Sequence, residues 1–134
     1  MKKAVTAALL AMMMAASVQA ADKVTTVPVH FAKGAHSAKV DGTFSGYDTI
    51  NYTLGAKEGQ TMTVAITGSS NGNFNVFAPG AIPGQAEAMG SGYVGEQWQA
   101  TLPSSGKYLI QVYQMRASAR RGEQVPHTLS VSIQ

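Results

Sequence analysis

Ile50-Asn51-Tyr52-Thr53-Leu54, then Lys57-Glu58-Gly59-Gln60, then Met62-Thr63-Val64-Ala65-Ile66, is the stretch that decides the fold. Apolar side chains fall on every second residue of the outer segments. That period belongs to a strand with one buried and one wet face. The polar residues between them form a turn, with Gly59 free to take positive φ. The same alternation continues outward in both directions. Towards the N-terminus it marks Val40, Gly42 and Phe44, and before them Val27, Val29 and Phe31. Towards the C-terminus it marks Phe74 and Val76, then Trp98, Ala100 and Leu102, then Tyr108, Ile110 and Val112. Leu129, Val131 and Ile133 come last. Short, evenly spaced strands of this kind predict an all-β fold, an antiparallel β-sandwich or barrel of about eight strands. Two stretches read as irregular, Ala78 to Gly95 and Met115 to Val125, with one helical turn expected near Ala117–Arg121.

The first twenty residues have a different character. Met1-Lys2-Lys3 is a short basic segment, Ala4 to Ala16 is apolar apart from Thr6, and Val18-Gln19-Ala20 sets small or aliphatic residues before a break. This is the layout of a Sec-type signal peptide cleaved after Ala20. The apolar run is shorter than the ~20 residues a spanning helix needs. The expectation is a signal peptide over residues 1–20, one domain over 21–134, a periplasmic location and no membrane association after cleavage. Of 134 residues, 114 then remain, and the loss of Lys2 and Lys3 leaves eight basic residues against seven acids. Only Arg116, Arg120 and Arg121 form a basic cluster, so no nucleic-acid partner is expected. There is no cysteine. The domain must stand on its core without disulfides, and no Cys nucleophile or Cys-ligated metal is available.

Catalytic patterns fail on context. Gly68-Ser69-Ser70-Asn71-Gly72 matches the spacing of a nucleophile elbow, but that elbow needs a following helix, whereas Asn73 to Phe77 reads as a strand. It is a polar turn. His30, His36 and His127 show no local metal-clamp spacing. Exposed or capping roles are expected for them. The carboxylates are scattered. No enzyme activity, cofactor or metal is expected.

Several segments together are more specific. They are Phe31-Ala32-Lys33-Gly34, Gly46-Tyr47-Asp48, Tyr52-Thr53 with Ala56-Lys57-Glu58-Gly59-Gln60, and Pro79-Gly80. Leu102-Pro103-Ser104-Ser105-Gly106-Lys107-Tyr108 and Gln114-Met115-Arg116-Ala117-Ser118-Ala119-Arg120 complete the set. In order and spacing, from about Val27 to Gln134, the chain resembles the periplasmic inhibitors of g-type (goose-type) lysozyme. The resemblance implies an eight-stranded antiparallel β-sandwich and, as partner, a g-type lysozyme whose peptidoglycan hydrolysis is blocked. Ala81 to Glu96 departs from the family pattern, and no partner contact is carried over from it.

A lysozyme cleft is concave and carries catalytic carboxylate. An inhibitor that expels water from it needs cations and hydroxyls on a protruding loop, and Arg–carboxylate bonds are the strongest such contacts. On that basis the partner-binding candidates are Tyr47, Asp48, Ser105, Gly106, Lys107, Tyr108, Arg116 and Arg120. Tyr47, Ser105, Lys107, Arg116 and Arg120 are expected together at one end of the sandwich, where loops from distant segments meet. The residues taken alone leave plain alternatives open: a hairpin turn at Ser105-Gly106, packing for Tyr108 and Tyr47, solubility for the arginines. A periplasmic carbohydrate- or peptidoglycan-binding module is the competing reading. Trp98 falls on the buried parity, which leaves Tyr93 and Tyr113 as a thin sugar platform.

The export reading has a direct check. Intact-mass measurement of the exported protein is expected to give a chain beginning near Ala21; retention of Met1 to Ala20 would overturn it.

Overall fold

The computed structural model describes residues 22–134, so the expected signal peptide lies outside the described residues. Nine strands and one short helix follow in order. They are β1 (Val24–Pro28), β2 (Ser37–Ser45), β3 (Thr49–Ala56), β4 (Thr61–Gly68), β5 (Asn73–Phe77), β6 (Gly90–Tyr93), β7 (Gln97–Thr101), β8 (Gly106–Tyr113), α1 (Arg116–Arg120) and β9 (Gln124–Ile133). They form a sandwich of two sheets, one ordered β1-β3-β8-β5-β6 and the other β2-β9-β4-β7. Every pairing is antiparallel except β1 with β3, which is parallel.

The alternation seen in the sequence is the inward face of both sheets. Tyr52, Val64, Ile66, Ile110, Val112 and Leu129 are all essentially inaccessible to solvent. Fully burying an aliphatic or aromatic side chain stabilises by about 1.5–3 kcal/mol. Trp98 packs against this core from β7, as its parity required.

Two features depart from the sequence reading. The first is β6, a strand inside the stretch expected to be irregular. Its inward positions are Gly90 and Gly92, so no hydrophobic alternation announces it. A Cβ at Gly90 would overlap the Trp98 indole, and one at Gly92 would come within 2.6 Å of the Phe74 ring. Aromatic rings from neighbouring strands occupy the space that β6 leaves bare. Met115 to Val125 holds α1, where one helical turn was expected, and the start of β9.

The second is His127, which is neither exposed nor a cap. It is 4% exposed and lies on the same inward parity as Leu129 and Val131. Its Nε2 is 2.8 Å from the Tyr52 hydroxyl, a bond between the two sheets, and its Nδ1 is 3.1 Å from the Val125 carbonyl. One neutral tautomer satisfies both: Nδ1–H donates to Val125, and Nε2 accepts from Tyr52. Gly42 faces the pair from β2. A Cβ there would sit 2.5 Å from the Tyr52 oxygen. Burial pushes the Tyr52 phenol up to about 12, with Asp41 adding to the effect. Burial also lowers the His127 pKa from its ordinary 6.5, against the opposing pull of the Val125 carbonyl and Asp41.

A depressed histidine pKa means that the unfolded chain binds a proton more readily than the folded one. The pair's contribution is therefore complete above the ordinary histidine value and is lost as pH falls through the folded one. Thermal unfolding midpoints are expected to fall as pH drops from about 7.5 to about 5. His127→Gln is expected to be less stable by roughly 1–3 kcal/mol at neutral pH and to show a flatter profile over that window. Equal slopes for parent and variant would refute the assignment.

Candidate functional site

The connections gather at the two ends of the sandwich. Because Ala56 pairs with Gly106 and Ile50 with Val112, the start of β8 lies at one end and its finish at the other. The Gly46 end carries the β2–β3 turn, the β4–β5 turn, the β6–β7 turn and the segment from Gln114 to Glu123. The Gln60 end carries the β1–β2 connection, the β3–β4 turn, the β7–β8 turn and the long β5–β6 connection.

This geometry divides the residues expected to form one patch. Tyr47, Asp48, Arg116 and Arg120 lie at the Gly46 end. Ser105, Gly106, Lys107 and Tyr108 lie at the Gln60 end. The seven residue steps along β8 separate the two groups by about 23 Å. The expectation of a single five-residue cluster is therefore corrected. The β7–β8 turn is not a hairpin either, since β7 and β8 belong to different sheets.

At the Gln60 end most of the candidates are committed to the fold. The Ser105 hydroxyl accepts from the Glu58 amide at 2.8 Å, tying two sheet-crossing turns together. Gly59 N–H donates to the Leu102 carbonyl, and Leu102 N–H to the Gln60 carbonyl. Gly106 lies against Pro79, which a Cβ would approach within 2.8 Å. Tyr108 is fully buried, with its hydroxyl donating to the Ser104 carbonyl at 2.6 Å. Its side chain offers a partner no surface. Lys107 is exposed.

The Gly46 end is different. Gly46 takes φ +58°, a left-handed conformation that suits glycine. It turns the chain so that Tyr47 projects, 46% exposed. Asp48 is half-buried, and its carboxylate accepts from the Lys23 amide at 2.8 Å, which pins the start of β1 beside β3. On α1, Ser118 and Ala119 are buried, while Arg116 and Arg120 are exposed and one helical turn apart. Residues four apart share a helix face. Arg121 is paired with Glu123, the sole ion pair among the described residues. Arg116 and Arg120 have no carboxylate partner there. Met115, 58% exposed, lies beside Arg116. Sequence reasoning gave Met115 no role of its own. Its place beside two candidate arginines was the available signal.

The elbow-like Gly68–Gly72 segment is a turn between β4 and β5, with the Ser69 hydroxyl accepting from the Asn71 amide at 3.2 Å. A strand follows it, so the elbow context is absent. Tyr93 and Tyr113 are closer together than their numbers suggest. Both stand opposite Asn73, on the strands either side of β5.

Comparison with known proteins places this architecture. No family model matches the chain. An inhibitor of g-type lysozyme from Escherichia coli (strain K12) is 34% identical over 107 residues, covering 80% of each chain. The crystal structure of a periplasmic lysozyme inhibitor of g-type lysozyme from Aeromonas hydrophila is 77% identical, with a TM-score of 0.83 over 85% of this chain and 100% of that one. Its Salmonella Typhimurium counterpart is 30% identical, with a TM-score of 0.67 over 82% of this chain and 98% of that one. These relatives are inhibitors, not enzymes. The sandwich, the ordered segments and these identities lead to one assignment: the chain belongs to the family of inhibitors of g-type lysozyme.

Proposed function

We propose that this protein acts in the periplasm as an inhibitor of g-type lysozyme, and that the Gly46 end enters the enzyme's cleft. The observation that carries the reading is the pair Arg116 and Arg120, exposed on one turn of helix without carboxylate partners, at the same end of the sandwich as exposed Tyr47 and Met115. Two spare guanidinium groups at an end that also exposes an aromatic ring suit a cleft containing catalytic carboxylate. Tyr and Arg are also the commonest dominant residues of protein interfaces. A contact of about 800 Å² per partner, the usual inhibitor size, fits one end of a sandwich. A cleft approached along the long axis meets one end and not both. Asp48, Ser105, Gly106 and Tyr108 then contribute by shaping the fold, and Lys107 stays in solvent.

The test is inhibition of a g-type lysozyme acting on bacterial walls, followed by turbidity. Arg116→Ala and Arg120→Ala each leave an enzyme carboxylate desolvated and unpaired. The expected loss is roughly 2–5 kcal/mol, or about 30- to several-thousand-fold in affinity. Tyr47→Ala is expected to weaken inhibition as well. Lys107→Ala and Lys57→Ala are expected to stay within about threefold of the parent, as rim charges do. Folded Arg116→Ala and Arg120→Ala proteins that inhibit like the parent would sink the site.

One observation favours a second reading, binding of neutral glycan. Tyr93 and Tyr113 flank Asn73, and the next row of the same face holds Asn75 hydrogen-bonded to Gln111 at 3.3 Å. The two tyrosines are two strand spacings apart, about 9.5 Å. Cosedimentation with peptidoglycan that is lost in Tyr93→Ala, in a protein that inhibits no lysozyme, would put this reading first.

A further inference from the structure

Gln114 continues the inward parity of Tyr108, Ile110 and Val112 one step past the end of β8. It is 7% exposed, a polar side chain at the rim of an apolar core. Its Nε2 donates twice, to the Gly46 carbonyl at 2.9 Å and to the Glu123 carbonyl at 2.8 Å. Both acceptors are carbonyl oxygens, so the amide has one workable orientation. The Glu123 carbonyl also accepts from the Gly46 amide at 3.2 Å. Position 46 itself lies close to α1, since a Cβ there would sit 3.7 Å from the Ala119 carbonyl oxygen.

Three segments, one of them 68 residues away from Gln114, therefore meet at one side chain. The first is the turn that presents Tyr47. The second is the end of β8 that leads into Met115 and Arg116. The third is the link from α1 to β9 that follows Arg120. We infer that Gln114 is the positioning residue of the inhibitory end, its amide locking the Tyr47 turn to the arginine-bearing helix in the arrangement the enzyme cleft accepts. This rests on the site proposed above, because Gln114 is buried and touches no partner itself.

The physical reason is pre-organisation. Ordering a backbone residue costs about 1–2 kcal/mol, and a surface built from three loops must meet that cost on binding or before it. Gln114 settles it during folding. When the binding-competent arrangement is only partly populated, apparent affinity falls by the populated fraction. If the loops interconvert before binding, the loss appears in the association rate, whereas truncating a contact appears mainly in dissociation.

Gln114→Met keeps the length and removes both donors. The association rate with a g-type lysozyme is expected to fall roughly tenfold, with dissociation changed less than about twofold. Arg116→Ala is expected to do the reverse. In a Tyr47→Ala background the Gln114→Met effect is expected to shrink, while in a Lys107→Ala background it persists in full. Gln114→Asn, which keeps a buried amide but is one methylene short of the two carbonyls, is the second variant and gives the same kinetic signature. Hydrogen exchange supplies a readout without lysozyme: the Gly46 amide is expected to exchange about tenfold faster in Gln114→Met, with the Val64 amide unchanged. Unchanged Gly46 exchange, a loss confined to dissociation, or full additivity with Tyr47→Ala each overturns the inference. If Tyr47→Ala, Arg116→Ala and Arg120→Ala all inhibit like the parent, the site itself falls and the inference with it. If they lose inhibition and Gln114→Met does not, only the inference falls.

Discussion

The chain must cross the core at every connection but one. β1 to β5 alternate between the two sheets, β5 and β6 share one, and β6 to β9 alternate again. Packed sheets lie about 10 Å apart, so each crossing turn spans that gap and gains no hairpin ladder. Register is set instead by the inward apolar face, where a slip of one residue would turn every core side chain to solvent. The crossings are stitched to one another by single bonds: Glu58 N–H to the Ser105 hydroxyl, Gly59 N–H to the Leu102 carbonyl, Gly46 N–H to the Glu123 carbonyl. Gln114 belongs to the same set. Tyr52 and His127 do across the middle of the sandwich what these bonds do at its ends.

This arrangement also decides where binding residues can stand. Each end is assembled from turns that join opposite sheets, so residues far apart in sequence become neighbours without any local motif. Tyr47 comes from a crossing between β2 and β3, and Arg116 and Arg120 from the crossing between β8 and β9. Pairing of Arg121 with Glu123 leaves Arg116 and Arg120 as the unpaired cations of α1, on a domain whose overall charge is near neutral.

The core was legible in the sequence because its side chains alternate with period two over Ile50–Leu54, Met62–Ile66 and Tyr108–Val112, and every inward residue of these runs is buried. β6 was not, because glycines lie where rings from Phe74 and Trp98 fill the space. His127 was legible in part: the parity of Leu129, Val131 and Ile133, run back two more steps, passes through Val125 and His127. Its hydroxyl partner is 75 residues away and leaves no local trace. The candidate residues of the Gly46 end were found through family resemblance, and their neighbourhood was not visible. Alternation tells which face a residue takes, but not which end of the sandwich a turn reaches. That depends on strand direction and pairing, and so Ser105 and Tyr47 were grouped although they lie at opposite ends.

The place of β9 has a consequence for how the molecule is made. It is the last strand in the chain, yet it stands between β2 and β4 in the interior of its sheet. Until it arrives, β2 has no partner in that sheet and β4 has only β7. A nascent chain short of residue 124 carries unpaired strand edges and lacks Val125, Leu129, Val131 and Ile133 from its core, features that expose a polypeptide to aggregation. The four-stranded sheet is complete only when residues 124–133 stand between β2 and β4.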